Sequence, residues 1–208
     1  MNKRSYRLIH LLIGWGTVGF IYQFNSLLQA KATLLHPSKI DQLIPFTPYA
    51  IWPYLSFFII IPVSFLSAPL HRVRWMAVCF MLTSLIAGSI YLFFPTSMLS
   101  AAPIGSSIHA QLLGALMSVD TENNCLPSLH VALTLIVVLG YINQKQKVKS
   151  ILMALWGGVI CLSVLFLKRH LFLDLVSGAC LATVVGAGVY YGLKRMNYAA
   201  PLNRHGGR

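Results

Sequence analysis

The sequence predicts an all-α integral membrane protein, a bundle of six transmembrane helices that forms a single domain over residues 1–208. Three observations lead to this fold class. The chain is 57% hydrophobic and only 10% charged, whereas soluble domains carry about 25% charged residues. Stretches without any charge recur at the length of a bilayer-spanning helix, which is about 20 residues. The basic residues between these stretches lie mainly on one side of the predicted membrane.

Six charge-free stretches can each hold one spanning helix. We predict spans near 8–28, 50–69, 75–95, 128–143, 150–167 and 173–193. The last span contains several small residues, which allow helices to approach closely in lipid. These six spans leave no room for a second domain.

The segments between the spans read as loops of two kinds. Residues 31–49 contain three prolines and are typical of an irregular external connection. Residues 70–75 ("LHRVRW") and 143–150 ("NQKQKVKS") are short basic turns. The longest external stretch is 96–127, in which "SIHAQLLGALMSV" has apolar residues at helical spacing and is expected to lie flat at the membrane interface.

The net charge of +12 is explained by topology and by attraction to anionic lipids, and it does not indicate a nucleic-acid partner. Six spans place both termini on one side, with twelve basic residues there against four on the other. The twelve are Lys3, Arg4, Arg7, Arg72, Arg74, Lys145, Lys147, Lys149, Lys194, Arg195, Arg204 and Arg208, and the four are Lys31, Lys39, Lys168 and Arg169. We therefore expect cytoplasmic termini and an external active site, in a membrane such as the bacterial inner membrane.

Residues 1–32 also imitate a secretory signal peptide, with a basic start, an apolar run and the small residues "AKA". The apolar run is longer than the core of a signal peptide and has the length of a full span. We therefore expect a retained first helix.

The four cysteines do not suggest a metal site or a disulfide framework. Three of them lie inside predicted spans, where cysteine behaves as a small hydrophobic residue, and Cys125 alone faces outward. No CxxC motif or Cys/His cluster is present, so we expect neither a metal ion nor another cofactor.

The first polar motif at the external end is "PSLH". Proline is tolerated in the first turn of a helix, so Pro127 predicts that Ser128, Leu129 and His130 form the first turn of the fourth span. A helix N-terminus presents unpaired N–H groups and positive dipole, and both favour an anion.

The second motif, "KRHLFLD", lies forty residues later and at the same membrane face. His170 and Asp174 are four residues apart, so on a helix they share one side. The Asp174 carboxylate can fix the imidazole tautomer and leave the other ring nitrogen free to attack, while Lys168 and Arg169 add charge suited to phosphate.

Each motif has a simpler interpretation on its own. His130 alone reads as an interface histidine, and His170 with Asp174 reads as a pair at a helix end. Their coincidence at one membrane face favours a catalytic phosphate site.

The two motifs, in this order in a six-span chain, resemble those of the type-2 phosphatidic acid phosphatase superfamily. Its Pro-Ser-any-His motif is matched at 127–130, and its His-three residues-Asp motif at His170 and Asp174. The resemblance implies that His170 attacks phosphorus, with Asp174 orienting it. It also implies that His130 protonates the leaving oxygen and that Ser128 binds the phosphate.

The chain departs from the family pattern in its cations. The first family motif, Lys followed by Arg-Pro, is absent from "YLFFPTSMLSAAP", and Val164 stands where the third motif often has Arg. Lys168 and Arg169 are the nearest substitutes, followed by Lys31 and Lys39. The stretch "KRHLFLDLVSGACLA" is more similar to the inositol phosphorylceramide synthase branch, whose members transfer a phospho-headgroup to an alcohol.

Taken together, the sequence favours a lipid-phosphate phosphatase without metal. The alternatives left open are a lipid phosphotransferase and a degenerate, lipid-binding family member, while a transporter fits least because its polar residues would lie at the bilayer midplane. The expected substrate is a phospholipid or a prenyl phosphate. The sequence leaves the lipid species, the acceptor and the oligomeric state open.

Overall fold

The computed structural model describes residues 2–28, 32–100, 105–120, 124–142 and 146–199. The described part is mainly helical, with two very short strands. The elements are α1 (Lys3–Leu28), β1 (Thr33–Leu34), α2 (Lys39–Leu43), a 3₁₀ turn (Pro48–Ala50), α3 (Ile51–Ser67), α4 (Leu70–Phe93), β2 (Thr96–Ser97), α5 (Ile108–Val119), α6 (Leu129–Tyr141), α7 (Lys147–Phe166) and α8 (Phe172–Ala199).

Five helices are long and apolar enough to cross a membrane, and each corresponds to a predicted span. They are Lys3–Leu28, Pro48–Ser67, Leu70–Phe93, Lys147–Phe166 and Phe172–Arg195. The span predicted near 128–143 is α6, which has only 13 residues. Ten of these 13 residues are buried, and α6 contacts α3, α4, α7 and α8. The sequence signal for this span therefore comes from an apolar helix in the centre of the bundle, and the count of six spans remains a prediction.

The bundle core lies between α1, α3, α4, α6 and α8. Phe65, Phe80 and Ile136 are fully buried in it. At Gly88 of α4, an added Cβ would lie 2.3 Å from the side chain of Ile21, so the close packing of α1 on α4 requires glycine there. Outward-facing residues such as Leu12 and Phe20 of α1 are exposed, which suits a surface in contact with lipid.

The connections that precede α3, follow α4 and follow α7 meet at one end of the bundle. β1 pairs with β2 in parallel, and the Thr47 N–H donates to the carbonyl of Phe166 at the end of α7. α5 follows the N-cap Ser107, whose hydroxyl accepts the Ala110 N–H, so the predicted amphipathic segment is a helix. This end of the bundle carries both polar motifs.

Candidate active site

His170 lies in the tight connection between α7 and α8. The N–H groups of Arg169 and His170 both donate to the carbonyl of Val164, at 3.0 and 3.2 Å, so the chain folds back over the last turn of α7. Lys168 adopts φ 53°, the left-handed conformation that often ends a helix. His170 is thereby placed just before α8, which begins at Phe172.

Asp174 reaches back from the first turn of α8 to His170. Its Oδ2 lies 3.3 Å from His170 Nδ1 and accepts the Leu171 N–H at 2.9 Å. The two residues meet as their spacing predicts, although His170 precedes the helix and does not share its face. The Asp174 side chain is fully buried, and a buried carboxylate is stable only when it is paired and hydrogen-bonded. Its contact favours the tautomer with hydrogen on Nδ1, which leaves Nε2 as the nucleophilic atom.

A cavity of about 400 Å³ joins His170 to His130. Its wall is mostly apolar and aromatic, with a polar side near the α7–α8 connection. The lining residues are Trp15, Val18, Gly19 and Tyr22 of α1; Tyr54, Phe57 and Phe58 of α3; Tyr91 of α4; Met98, Ser100, Leu116, Asp120, Asn124 and Cys125; Leu129, His130 and Leu133 of α6; and Arg169 and His170. The motifs predicted to meet therefore contribute to one cavity.

His130 is held between two aromatic rings of α3. Its ring stacks on Tyr54 with centroids 4.3 Å apart and on Phe57 at 3.8 Å, both at an interplanar angle of 26°. Its Nε2 is buried and has no hydrogen-bond partner among the described residues. A buried polar atom without a partner is costly, so the ring is oriented by stacking while Nε2 remains available for a ligand.

Ser128 is not part of the cavity wall. Its hydroxyl caps α6 by accepting the Val131 N–H at 3.4 Å, and its own N–H donates to the Asp174 carbonyl at 3.1 Å. α6 begins at Leu129, so Pro127 precedes the helix and does not form its first turn. Ser128 is fully buried where α6 crosses α8, and a Cβ at Gly178 would lie 2.5 Å from the Ser128 carbonyl oxygen.

Arg169 is the cation on the described part of the cavity wall. Its Nη2 lies 2.6 Å from Asp120 Oδ2, and its Nη1 donates to Ser100 Oγ at 3.1 Å. The hydroxyl of Tyr22 donates to the other Asp120 oxygen. Burial would lower the pKa of Arg169, but the Asp120 carboxylate beside it raises the pKa above its ordinary value. Arg169 therefore carries a positive charge at neutral pH.

The other candidate cations do not line the described cavity. Lys168 Nζ donates to the Asp41 carbonyl at 2.6 Å, away from the wall. Lys39 is exposed on α2, and Lys31 lies outside the described residues. The stretch in the place of the first family motif contributes Tyr91, Met98 and Ser100 to the wall and no cation within its described part, 91–100.

Sequence reasoning missed Asp120 and Tyr22 as members of the site. The only available signal for Asp120 was an acidic residue at the end of an amphipathic external helix, and Tyr22 was hidden inside an apolar span. Neither position is recognisable without the packing of α1 and α5 around the cavity.

Comparison with known protein families gives a match that covers most of the chain. The model of the PAP2 superfamily matches residues 20–188, which include both polar motifs. No curated protein and no solved structure matches the chain significantly. Membership supports an integral membrane enzyme with phosphatase-type activity on lipid phosphoesters in general. The chain belongs to the PAP2 superfamily, the type-2 phosphatidic acid phosphatases.

Proposed function

We propose that this protein is a membrane lipid-phosphate phosphatase that cleaves its substrate through a phosphohistidine at His170, on the extracytoplasmic face. One observation carries the proposal: a histidine oriented by a buried carboxylate shares a cavity with a second histidine whose Nε2 has no partner among the described residues. This combination supplies a nucleophile and a general acid in the wall of one ligand-sized cavity.

In the first step, His170 Nε2 attacks phosphorus and the bond from phosphorus to the leaving oxygen breaks. The Nδ1–H remains hydrogen-bonded to Asp174, which stabilises the positive charge that develops on the ring. His130 takes up a proton when the phosphate anion binds beside its Nε2 and gives that proton to the leaving oxygen, so the released lipid alcohol is neutral. Arg169 stabilises the charge on the remaining phosphoryl oxygens.

In the second step, water attacks the phosphohistidine. His130, now neutral, accepts a proton from the water as the P–N bond breaks, and inorganic phosphate and the original forms of both histidines result. This step mirrors the first, so the same two groups serve both halves of the reaction.

The lining of the cavity suits a lipid phosphate. In this proposal the phosphate lies near His170, Arg169 and His130, and the lipid chain lies against apolar lining residues such as Trp15 and Phe58. The substrate class we propose is a phospholipid or prenyl phosphate.

We assign phosphate binding mainly to Arg169. Ser128 acts indirectly in this account, because its N–H and its carbonyl hold α6 against α8. Lys168 also acts indirectly, because its bond to the Asp41 carbonyl joins the α7–α8 connection to α2.

Asp120 favours a second candidate, transfer of the phosphoryl group to an alcohol. Its carboxylate lies in the cavity wall with 18% of the side chain exposed, where a site for phosphate alone would place a cation. A carboxylate is a good acceptor for the hydroxyl of a second substrate. A third possibility is a degenerate family member that binds phospholipid headgroups without turnover.

A labelled lipid phosphate separates these functions. Purified protein in detergent is incubated with the substrate, with and without candidate alcohols, and the products are resolved. We expect free phosphate from the wild type, no product from His170→Asn, and full activity from His36→Asn, an exposed external histidine outside the cavity.

A labelled ester that appears only with the alcohol would identify a transferase. Binding that survives substitution of His130 without any product across a panel of lipid phosphates would identify the degenerate protein. Full phosphate release by His170→Asn would contradict the proposed mechanism.

A further inference from the structure

We infer that Asp41, on the short external helix α2, is a positioning residue that holds the His170 nucleophile in place by anchoring the start of α8. This inference rests on the proposed function of His170. It assigns a role to the loop at 31–49, which no family motif includes.

The Asp41 carboxylate joins two separate segments of the chain. Oδ1 accepts the N–H of Phe172 at 2.7 Å, and Oδ2 accepts the N–H and the hydroxyl of Ser38 at 2.8 and 2.6 Å. The Asp41 N–H donates in return to Ser38 Oγ at 3.3 Å, so α2 has a complete capping box. One oxygen thus organises α2 itself, and the other reaches across 131 residues to the start of α8.

The start of α8 needs this distant acceptor. The first N–H groups of a helix have no partners within the helix and are usually satisfied by a local side chain. Leu171, which precedes α8, has no polar side chain. Asp174 accepts the N–H of Leu171, and Asp41 accepts that of Phe172. The buried start of α8 is therefore capped by one carboxylate from its own first turn and one from α2.

His170 lies between the two anchored parts of this connection. On its N-terminal side, the Val164 carbonyl accepts two N–H groups, including that of His170 itself. On its C-terminal side, the next two N–H groups are held by Asp174 and Asp41. Loss of the Asp41 contact frees the first turn of α8, which also carries the carboxylate that orients the imidazole.

Lys168 makes a second connection between the same segments. Its Nζ donates to the main-chain carbonyl of Asp41 at 2.6 Å. The pKa of Asp41 supports an ionised carboxylate: burial would raise it, but the hydrogen bonds from Ser38 and Phe172 and the charge of Lys168 bring it below its usual value. Asp41 is almost fully buried, although α2 is otherwise exposed.

The first test separates positioning from substrate binding. We expect Asp41→Ala to lower kcat about 10- to 100-fold and to leave KM for the lipid phosphate within about 3-fold, since small displacements of a reacting group cost rate of this order. Gln42→Ala, at an exposed position on the same helix, is the matched control and is expected to behave as wild type. Asp41→Asn keeps an acceptor for Phe172 and should recover most of the loss. A folded Asp41→Ala protein with wild-type kcat would overturn the inference.

The second test does not depend on activity. Protein labelled with ¹⁵N in its histidine rings is compared by NMR in detergent, and the His170 signals are assigned with His170→Asn. We expect the wild type to show one ring nitrogen protonated and one not, and Asp41→Ala to show averaged signals because the ring is no longer held by Asp174. Unchanged His170 signals in folded Asp41→Ala would contradict the inference, whether or not the enzyme turns over.

If Asp41→Ala does not fold, Asp41→Ser takes its place in both tests, because its shorter side chain removes the bond to Phe172 while keeping a polar group on α2. The expected direction and the contradicting result are the same. A wild type that shows an ordered His170 ring but forms no product would refute the proposed function and leave the positioning of His170 by Asp41 standing.

Discussion

A single oxygen atom of Asp174 contacts both the side chain of His170 and the main chain that follows it. Oδ2 lies 3.3 Å from His170 Nδ1 and 2.9 Å from the nitrogen of Leu171. The carboxylate therefore orients the imidazole of His170 and caps α8, the helix that carries Asp174 itself. This arrangement makes the orientation of the His170 ring depend on the first turn of α8.

Asp174→Asn is expected to lower kcat by about 10²- to 10⁴-fold, because the amide does not stabilise the imidazolium and allows the other tautomer. KM should change little, since Asp174 does not line the cavity. Steady-state kinetics in detergent measure kcat and KM, and thermal unfolding checks that the variant is folded. A kcat within about 3-fold of wild type in the folded variant would show that His170 needs no orienting carboxylate.

The pairing of His170 with Asp174 could be predicted from the sequence because it is local. Residues four apart near a helix start come close together in almost any arrangement of the rest of the chain. The contacts between Arg169 and Asp120 and between Asp41 and Phe172 could not be predicted, because they join residues 49 and 131 positions apart. The charge pattern predicts that such residues share a membrane face, but only packing decides which of them meet.

Five of the six predicted spans correspond to helices long and apolar enough to cross a membrane, because long apolar stretches identify such helices in a sequence. The ends of the helices were harder to predict. The fourth predicted span, near 128–143, is in the structure a helix of 13 residues from Leu129 to Tyr141. Ser128 explains the start, since a serine hydroxyl is a preferred cap, whereas the prediction placed Ser128 inside the first turn. Hydropathy does not distinguish a short helix enclosed by its neighbours from a full span.

His130→Gln is expected to reduce turnover of an alkyl phosphate ester by about 10²- to 10⁴-fold, the usual contribution of a general acid. The loss should be much smaller for an aryl phosphate, whose leaving oxygen needs no proton. The test compares the loss of turnover on the two substrates, measured with the same preparations of wild type and variant. Equal losses on both would assign His130 to binding and remove it from acid catalysis.

Gly178→Ala tests the close crossing of α8 with the start of α6, the helix that carries His130. The new Cβ would lie 2.5 Å from the Ser128 carbonyl oxygen, and that main-chain atom cannot move without shifting α6. We expect a loss of about 1–3 kcal/mol in the free energy of unfolding, together with reduced kcat. Gly188→Ala on the same helix is the control, since its Cβ would meet nothing within 4 Å. Equal behaviour of the two variants would count against the close crossing of α6 and α8.

Acidification tests the Asp41 contacts through the stability of the protein. The pKa of Asp41 is below its ordinary value of 3.8 in the folded state, so its contribution is fully present above that value and is lost as pH falls through the lower folded pKa. The thermal midpoint of the wild type should therefore fall more steeply below about pH 4 than that of Asp41→Asn, which has no group to titrate there. Thermal unfolding followed by tryptophan fluorescence measures both, and identical slopes would contradict the assignment.

The most direct measurement of the central claim is to trap the phosphoenzyme. Protein is mixed with a lipid phosphate labelled in its phosphoryl group, quenched in base within the first turnover, and digested for mass spectrometry. We expect one base-stable, acid-labile phosphohistidine at His170, which is absent from His170→Asn and present in His36→Asn. Rapid release of labelled phosphate with no label on His170 at any time would contradict it.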